Sequence, residues 1–182
     1  IPLYVCYLDA SKAFDCVQYL PLLEKLLSRG FPIQQVEFFL TWFINQRFYI
    51  RWGNCWSSAF AVQKGVRQGG ILSPYFFALY VDELSQRLNK SKIGLSILGK
   101  FINHLLYADD VVLLATSRSS LEKMLQISSD FAVEHGLTFN SQKSELQLFL
   151  PKWAKNLQSE VSIIFQGSEI HQSTSAIFGI PN

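Results

Sequence analysis

Residues 104–115 read HLLYADDVVLLA, in which two apolar runs flank the triplet Ala108-Asp109-Asp110. Two short apolar runs interrupted by a small polar group are typical of neighbouring strands joined by a tight turn. The pattern therefore predicts a β-hairpin that carries two carboxylates at its tip.

A third acid, Asp9, follows the uncharged run 3–8, which predicts a buried strand. An isolated carboxylate at the end of a buried element would be protonated or would lose hydration at a substantial free-energy cost. A divalent cation removes this cost and the repulsion between adjacent acids, and hard oxygen ligands suit Mg²⁺. Only a turn lets Asp109 and Asp110 both approach one metal centre, and we expect Asp109 to be the stronger ligand.

Both acidic positions also have an ordinary structural explanation. Asp is common in tight turns because its side chain accepts hydrogen bonds from the local backbone, and Asp9 could be an N-cap. Against this explanation, the same chain combines acids at the ends of apolar strands with a glycine-rich basic segment between them. That combination favours a metal site.

The surrounding pattern predicts an α+β fold with a mostly antiparallel sheet packed on helices. Apolar spacing and capping residues predict helices at about 20–28, 32–45, 73–89 and 119–135. They also predict a hairpin over 48–62, short strands near 137–139 and 145–150, a surface loop at 151–160 and a strand-like tail from 161.

Composition limits the class of protein. The chain has 182 residues, of which 49% are hydrophobic and 16% charged, so it can form one domain with a sizeable core. The net charge of +2 permits nucleic-acid contact without demanding it. Three cysteines without a C-x-x-C pair indicate neither disulfides nor zinc, which fits an intracellular location, nuclear or cytoplasmic. No apolar run reaches the roughly 18–20 residues that span a bilayer, so no membrane partner is expected.

Three ordered motifs resemble those of reverse transcriptases: LDASKAFD at 8–15, GVRQGGILSP at 65–74 and YADD at 107–110. Their order, separation and wording are more similar to the enzymes of non-LTR (LINE-type) retrotransposons than to retroviral ones. The resemblance covers most of the chain. It implies a polymerase palm with a catalytic Asp-Asp hairpin, in a fragment, residues 1–182, from which the fingers and thumb are largely missing.

The resemblance implies a role for each acid. Asp9, Asp109 and Asp110 would hold two Mg²⁺ ions, with Mn²⁺ as a substitute and the Ala10 carbonyl as an additional ligand. Lys143, in the motif GLTFNSQK at 136–143, would lie near the triphosphate and protonate pyrophosphate, although a turn lysine is usually just solvated.

The resemblance also implies nucleotide contacts. Phe14 would crowd a ribose 2′-hydroxyl and so favour deoxynucleotides, unless it is simply a core residue. Gln68, Gly69 and Gly70 would lie beneath the incoming nucleotide and the template, with an ordinary turn before the next helix as the alternative. The stretch 178–180, Phe-Gly-Ile, faintly resembles a primer-gripping turn, and we assign 151–182 to a loop and primer-grip strands. Finally, Arg47, Arg51, Lys64 and Arg67 could face a nucleic-acid backbone or be surface charges.

The resemblance implies an RNA-directed DNA polymerase that adds dNTPs to a DNA primer on an RNA template. The chain would be a fragment of a retroelement polyprotein, partnered by its remaining domains and inactive in isolation. Two alternatives stay open: an inactive remnant that at most binds nucleic acid, and a group II intron-like reverse transcriptase. The three histidines show no ligand spacing, and His104, in an apolar run, is expected to be a hydrogen-bonded core residue.

Overall fold

A computed structural model of the chain describes residues 1–151 and 162–172. In chain order the elements are β1 (Leu3–Asp9), α1 (Ala13–Cys16), α2 (Tyr19–Ser28), α3 (Ile33–Ile44), β2 (Arg51–Trp52), β3 (Cys55–Trp56), α4 (Ser73–Ser91), β4 (Leu95–Ile97), β5 (Lys100–Ile102), β6 (His104–Tyr107), β7 (Asp110–Ala115), α5 (Arg118–His135), β8 (Glu145–Phe149), β9 (Ser162–Phe165) and β10 (Ser168–His171). This mixture of helices and antiparallel strands confirms the α+β prediction.

The chain divides into two compact units. The strand unit comprises Ile1–Ser11 and Asp82–Asn182, and the helical unit comprises Lys12–Val81. The strand unit is built on a four-stranded antiparallel sheet with the order β6-β7-β1-β8. Helix α5 packs against β1 and β7 and buries Leu121, Met124 and Phe131. One face of the sheet is thereby covered by a helix.

Helix α5 has well-defined ends that follow from local chemistry. The Ser117 side chain accepts a hydrogen bond from the Ser120 backbone N–H at its start, a typical N-cap. Gly136 ends the helix with φ 63°, a left-handed conformation that glycine adopts without a Cβ clash. These caps fix the helix on the sheet and begin the return of the chain towards β8.

The helical unit has an aromatic core. Tyr19 stacks on Phe43 with ring centroids 4.5 Å apart, and Phe43 meets Phe76 edge-on at 5.7 Å. Helices α2 and α3 pack together, and Leu22 and Leu26 of α2 are fully buried. Burying large rings stabilises such a unit because each removes a large apolar area from water.

Several predictions of local structure needed correction. The hairpin expected over 48–62 is regular only at β2 and β3, with an isolated bridge between Phe48 and Phe60. The hairpin β4–β5 was not predicted, and the strand expected near 137–139 is only a bridge between Phe139 and Ala10. Ser73 begins helix α4 itself, and its hydroxyl donates to the Arg67 carbonyl at 2.5 Å instead of capping the helix.

The structure also bears on the predictions for His104, for membrane-spanning segments and for the C-terminal residues. His104 is hydrogen-bonded as predicted, to Ser85 Oγ and to Asn103 Oδ1, both at 2.8 Å, but it is half-buried rather than a core residue. None of the helices in residues 1–151 and 162–172 has the length and apolar character required to cross a bilayer. The expected turn at 178–180 and residues 152–160 of the expected loop lie outside the described residues.

Candidate active site

The turn between β6 and β7 forms the tip predicted from the Asp-Asp pair. Tyr107 pairs with Asp110, which leaves Ala108 and Asp109 as the two turn residues. Ala108 has φ 52°, whereas Asp109 is not among the residues with positive φ, the pattern of a type II′ hairpin turn. A positive φ is unfavourable for alanine because of its Cβ, and such local strain tends to occur at functional sites.

Asp9 and Asp110 are direct cross-strand partners on β1 and β7. The Asp9 N–H donates to Ser144 Oγ at 3.3 Å, and its carbonyl accepts from the Asn140 N–H at 2.8 Å. Both backbone groups of Asp9 therefore point away from β7, so Asp9 and Asp110 form a non-hydrogen-bonded pair. In such pairs the Cα atoms are only about 4.5 Å apart and the side chains are close together on one face.

This face borders an open depression of about 660 Å³. Its lining includes both carboxylates together with Tyr7, Lys143 and Glu145. The structure thus brings together three of the predicted site residues, Asp9, Asp110 and Lys143. Asp109 is not among the residues that line the depression.

Asp9 and Asp110 form no ion pair with any residue of the described chain. Within residues 1–151 and 162–172, no ion pair or side-chain hydrogen bond reaches Asp9, Asp109 or Asp110, and no three His, Cys, Asp or Glu residues form a group able to hold a metal ion. Like charges placed directly opposite each other on neighbouring strands are destabilising. A divalent cation between them would offset that repulsion, and their hard oxygen donors suit such an ion. The Asp9–Asp110 pair therefore fits a divalent cation as two ligands of an incomplete set.

The cross-strand register distinguishes the positions of the two hairpin acids. β7 begins at Asp110, so strand register places Asp110 opposite Asp9, and the expectation that Asp109 is the stronger ligand stays a prediction. Asp109 lies in the turn itself and is exposed. It can approach the same centre only from the tip of the hairpin.

The turn that carries Lys143 is held by residues that sequence reasoning did not single out. Asn140 Oδ1 accepts the Gln142 N–H at 3.0 Å, and the Asn140 carbonyl accepts the N–H of Lys143 and of Ser144 at 3.2 and 2.9 Å. Asn140 and Ser144 also bond the backbone of Asp9. An Asn at the start of a polar turn before a strand is the signal that could have revealed this anchor.

Ala10 presents its backbone towards the hairpin side. In its bridge with Phe139, the hydrogen bonds are made by the neighbours, from Asn140 N–H to the Asp9 carbonyl and from Ser11 N–H to the Thr138 carbonyl at 2.8 Å each. The N–H and carbonyl of Ala10 therefore point away from Phe139, towards the β7 side of β1. This orientation is compatible with the expected role of its carbonyl as a metal ligand.

Glu145 is a further residue of the site that the sequence did not reveal. It lies opposite Tyr7, and its Oε2 atom is buried without a hydrogen-bond partner in the described chain. Burial, and to a lesser extent the Glu145 charge, raises the pKa of Tyr7. Strand alternation places Tyr7, two residues before Asp9, on the same face of β1 as Asp9. Glu145, the cross-strand partner of Tyr7, therefore lies on this face as well.

The remaining predicted residues come together in the helical unit. Phe14 stacks on Phe77 with centroids 5.0 Å apart, and its carbonyl accepts the Val66 N–H at 2.8 Å. Gln68 Nε2 donates to Asp15 Oδ1 at 3.1 Å, which links the turn after Val66 to the short helix of Phe14. The Phe14 ring is half-buried, so both its core and its nucleotide explanations stay open.

The two glycines of this turn are required for different reasons. Gly69 has φ 78° and open space around it, so only its backbone conformation requires glycine. At Gly70 an added Cβ would lie 2.7 Å from Ser73 Oγ and 3.0 Å from the Arg67 carbonyl. Glycine at position 70 therefore makes room for the Ser73–Arg67 hydrogen bond.

Comparison with known proteins adds independent evidence. Residues 3–175 match the family model described as reverse transcriptase (RNA-dependent DNA polymerase). The chain is 34% identical over 141 residues to the Pol polyprotein of the retrotransposable element R2DM of Drosophila melanogaster, which covers 77% of this chain. It is 29% identical over 149 residues to the R2 polyprotein of Nasonia vitripennis, which covers 82% of this chain. The match spans only 13% and 14% of those two relatives.

A solved structure has a similar fold. Apo telomerase from Candida tropicalis, truncated from its C-terminal domain, superposes with a TM-score of 0.66 over 93% of this chain and 34% of its own. The sequence identity is 17%, so the likeness concerns the fold alone.

Proposed function

The chain belongs to the reverse transcriptase (RNA-dependent DNA polymerase) family, with relatives among non-LTR retrotransposons, and from this premise we propose that it is the palm of an RNA-directed DNA polymerase. Residues 1–182 would form one fragment of that domain in a longer retroelement polyprotein. Fingers and thumb would come from other parts of the polypeptide.

The observation that carries the proposal is the opposed Asp9–Asp110 pair at the open face of the sheet. Asp109 at the adjacent tip and the Ala10 carbonyl would complete the oxygen ligands. Two divalent ions bound there, Mg²⁺ or Mn²⁺, would supply the charge neutralisation for in-line transfer of a nucleotidyl group to a primer 3′-hydroxyl. The chain's own contribution is positioning, which dominates in this type of chemistry.

Lys143 would act on the leaving group. It lines the same depression as both acids, on a turn whose Asn140 N–H and Ser144 hydroxyl are hydrogen-bonded to the backbone of Asp9. A protonated amine held there would donate its proton to an oxygen of the departing pyrophosphate. The hydrogen bonds of Asn140 hold this turn next to Asp9, and the lysine side chain extends from it.

In the helical unit, Phe14 would select deoxynucleotides, and Gln68, Gly69 and Gly70 would support the nucleotide and template. The Gln68–Asp15 hydrogen bond supports a joint role, because it ties the turn to the short helix that carries Phe14. RNA template, DNA primer and dNTPs are the proposed substrates.

Titration with Mn²⁺, followed by its paramagnetic resonance signal, tests the metal site in the 182-residue chain. We expect saturable binding that weakens at least tenfold in Asp110→Asn, because one of two opposed ligands loses its charge. Asp130→Asn is the matched control, since Asp130 is an exposed acid on α5 whose carboxylate accepts from Gln126. Equal binding by wild type and Asp110→Asn, or no saturable binding, would favour the inactive remnant.

Nucleotide selection can be tested in the complete polyprotein. Phe14→Ala should incorporate ribonucleotides more readily than the wild type, because the ring no longer crowds the 2′-hydroxyl. Phe77→Ala, which removes the buried ring stacked on Phe14 and leaves Phe14 itself in place, is the comparison. Unchanged discrimination between dNTPs and rNTPs in Phe14→Ala would assign Phe14 to the core.

A further inference from the structure

A long stretch of the helical unit contains basic residues and no acidic ones. From Phe38 to Val81 there is no Asp or Glu, while Arg47, Arg51, Lys64 and Arg67 all occur. This local excess of positive charge stands out in a chain whose net charge is only +2. A surface built from this stretch attracts polyanions.

The same stretch forms a cleft of about 320 Å³ whose lining includes Trp42, Tyr49, Trp56, Arg47 and Arg67. Its aromatic side chains are unusually accessible, with exposed fractions of 41% for Trp42, 57% for Tyr49 and 64% for Trp56. Aromatic rings that belong to a core are covered by other side chains. These three rings are not, so their flat faces are available to a ligand.

The backbone holds these rings in place. Phe48 and Phe60 exchange backbone hydrogen bonds of 2.9 and 3.0 Å, and the Ser57 N–H donates to the Ile50 carbonyl at 2.9 Å. Arg51 lies directly opposite Trp56, with its guanidinium carbon 5.5 Å from the ring centroid. Trp56 is therefore fixed on a short hairpin with a cation over the ring.

The cleft arginines are not neutralised. The Arg47 side chain donates to the carbonyls of Ile44 and Gln46 at the end of α3, and no carboxylate pairs with it in the described chain. Arg67 makes no ion pair within residues 1–151 and 162–172 either. A negatively charged ligand would neutralise both guanidinium groups.

We propose that this cleft, which we call the aromatic cleft, binds single-stranded nucleic acid, with bases stacked on Trp56 and Tyr49 and phosphates facing Arg47 and Arg67. Unpaired bases offer flat faces to aromatic rings, whereas a duplex hides them. The combination of exposed rings with unneutralised arginines matches such a strand better than an apolar protein segment, which would leave the charges without partners. The inference rests on the proposed function, since a polymerase on an RNA template handles single strands.

Binding of fluorescein-labelled oligonucleotides to the 182-residue chain, followed by anisotropy in EDTA, tests the cleft. Single-stranded RNA, single-stranded DNA and a duplex of the same sequence are compared. Trp56→Ala should weaken single-strand binding roughly tenfold or more, the usual effect of removing one stacking ring. Trp52→Ala is the matched control, because Trp52 is 86% exposed on the same hairpin but does not line the cleft; it should change binding less than twofold.

A charge variant gives a second readout. Arg47→Gln should reduce the slope of log affinity against log salt by about 0.7, as for one lost phosphate contact to a single strand. Arg118→Gln, which removes an arginine paired with Glu122, should leave the slope unchanged. Tighter binding of RNA than of DNA would assign the cleft to a template strand, and the reverse preference to a DNA strand.

Equal effects of Trp52→Ala and Trp56→Ala, or binding that prefers the duplex, would overturn the inference. Insensitivity of strand binding to Trp56→Ala would do the same and would favour a protein segment as the occupant. Thermal melting of each variant establishes that it is folded, which is expected because both tryptophans are exposed. Nucleic-acid binding is measured in EDTA, and Mn²⁺ binding is measured without nucleic acid. The proposed cleft and the proposed metal site can therefore fail independently of each other.

Discussion

Asp9 and Asp110 lie directly opposite each other on β1 and β7, with the backbone groups of Asp9 turned away from β7. The arrangement brings two negative charges close together at the open face of the sheet. Two like charges in this position repel each other, and a divalent cation between them would offset the repulsion.

Removal of one of these charges should stabilise the ion-free protein. We expect Asp110→Asn to raise the melting temperature in EDTA by about 1–3 °C, from a relief of roughly 0.2–1 kcal/mol of repulsion. Millimolar Mg²⁺ should raise the melting temperature of the wild type but not of the variant. Calorimetry checks both values, with Asp130→Asn as the control; a lower melting temperature for Asp110→Asn in EDTA would contradict the repulsion.

The two glycines before α4 should respond differently to a methyl group. Gly70→Ala should lower the free energy of unfolding by about 1–3 kcal/mol, because its Cβ meets Ser73 Oγ and the Arg67 carbonyl. Gly69→Ala should cost about 1 kcal/mol from its left-handed backbone alone. Urea unfolding measures both.

The double variant Gly70→Ala/Ser73→Ala separates the causes at position 70. It should recover part of the loss if the clash with Ser73 Oγ dominates. No recovery would point to the Arg67 carbonyl, which cannot move without the backbone.

Stability should depend on pH through His104. Burial lowers the pKa of His104 below its ordinary value. As the pH falls, the imidazole of His104 therefore gains a proton in the unfolded chain before it does so in the folded protein. The contribution of neutral His104 to the free energy of unfolding is complete above about pH 6.5 and is lost progressively below it. The wild type should lose more unfolding free energy between pH 7.5 and 5.5 than His104→Gln does; identical losses would show that another group is responsible.

The cysteines should differ sharply in reactivity. Burial raises the pKa of the Cys6 thiol to about 12, whereas Cys55 is exposed. Because the thiolate is the reactive form, iodoacetamide at pH 8 should modify Cys55 and leave Cys6 unmodified until the protein unfolds. Mass spectrometry of the intact and urea-treated protein gives the answer, and rapid modification of native Cys6 would show that β1 opens readily.

Strong local patterns predicted most of the fold. The uncharged run before Asp9 predicted β1, and capping residues such as Gly136 predicted the ends of α5. Both signals are local, since each acts within one turn or one strand. The β4–β5 hairpin was missed because its residues are exposed and lack a clear alternation. Asn140 and Ser144 were missed because their importance arises from hydrogen bonds to a strand far away in the sequence.

The sequence by itself determined which acids end apolar strands, where the turns fall and which family of motifs they resemble. Only the tertiary structure decided that Asp110, rather than Asp109, faces Asp9, and that Lys143 and Glu145 border the same depression. The reason is physical: side chains alternate along a strand, so a shift of one residue in register reverses the face. That register is set by the packing of strands distant in sequence, which no local pattern encodes.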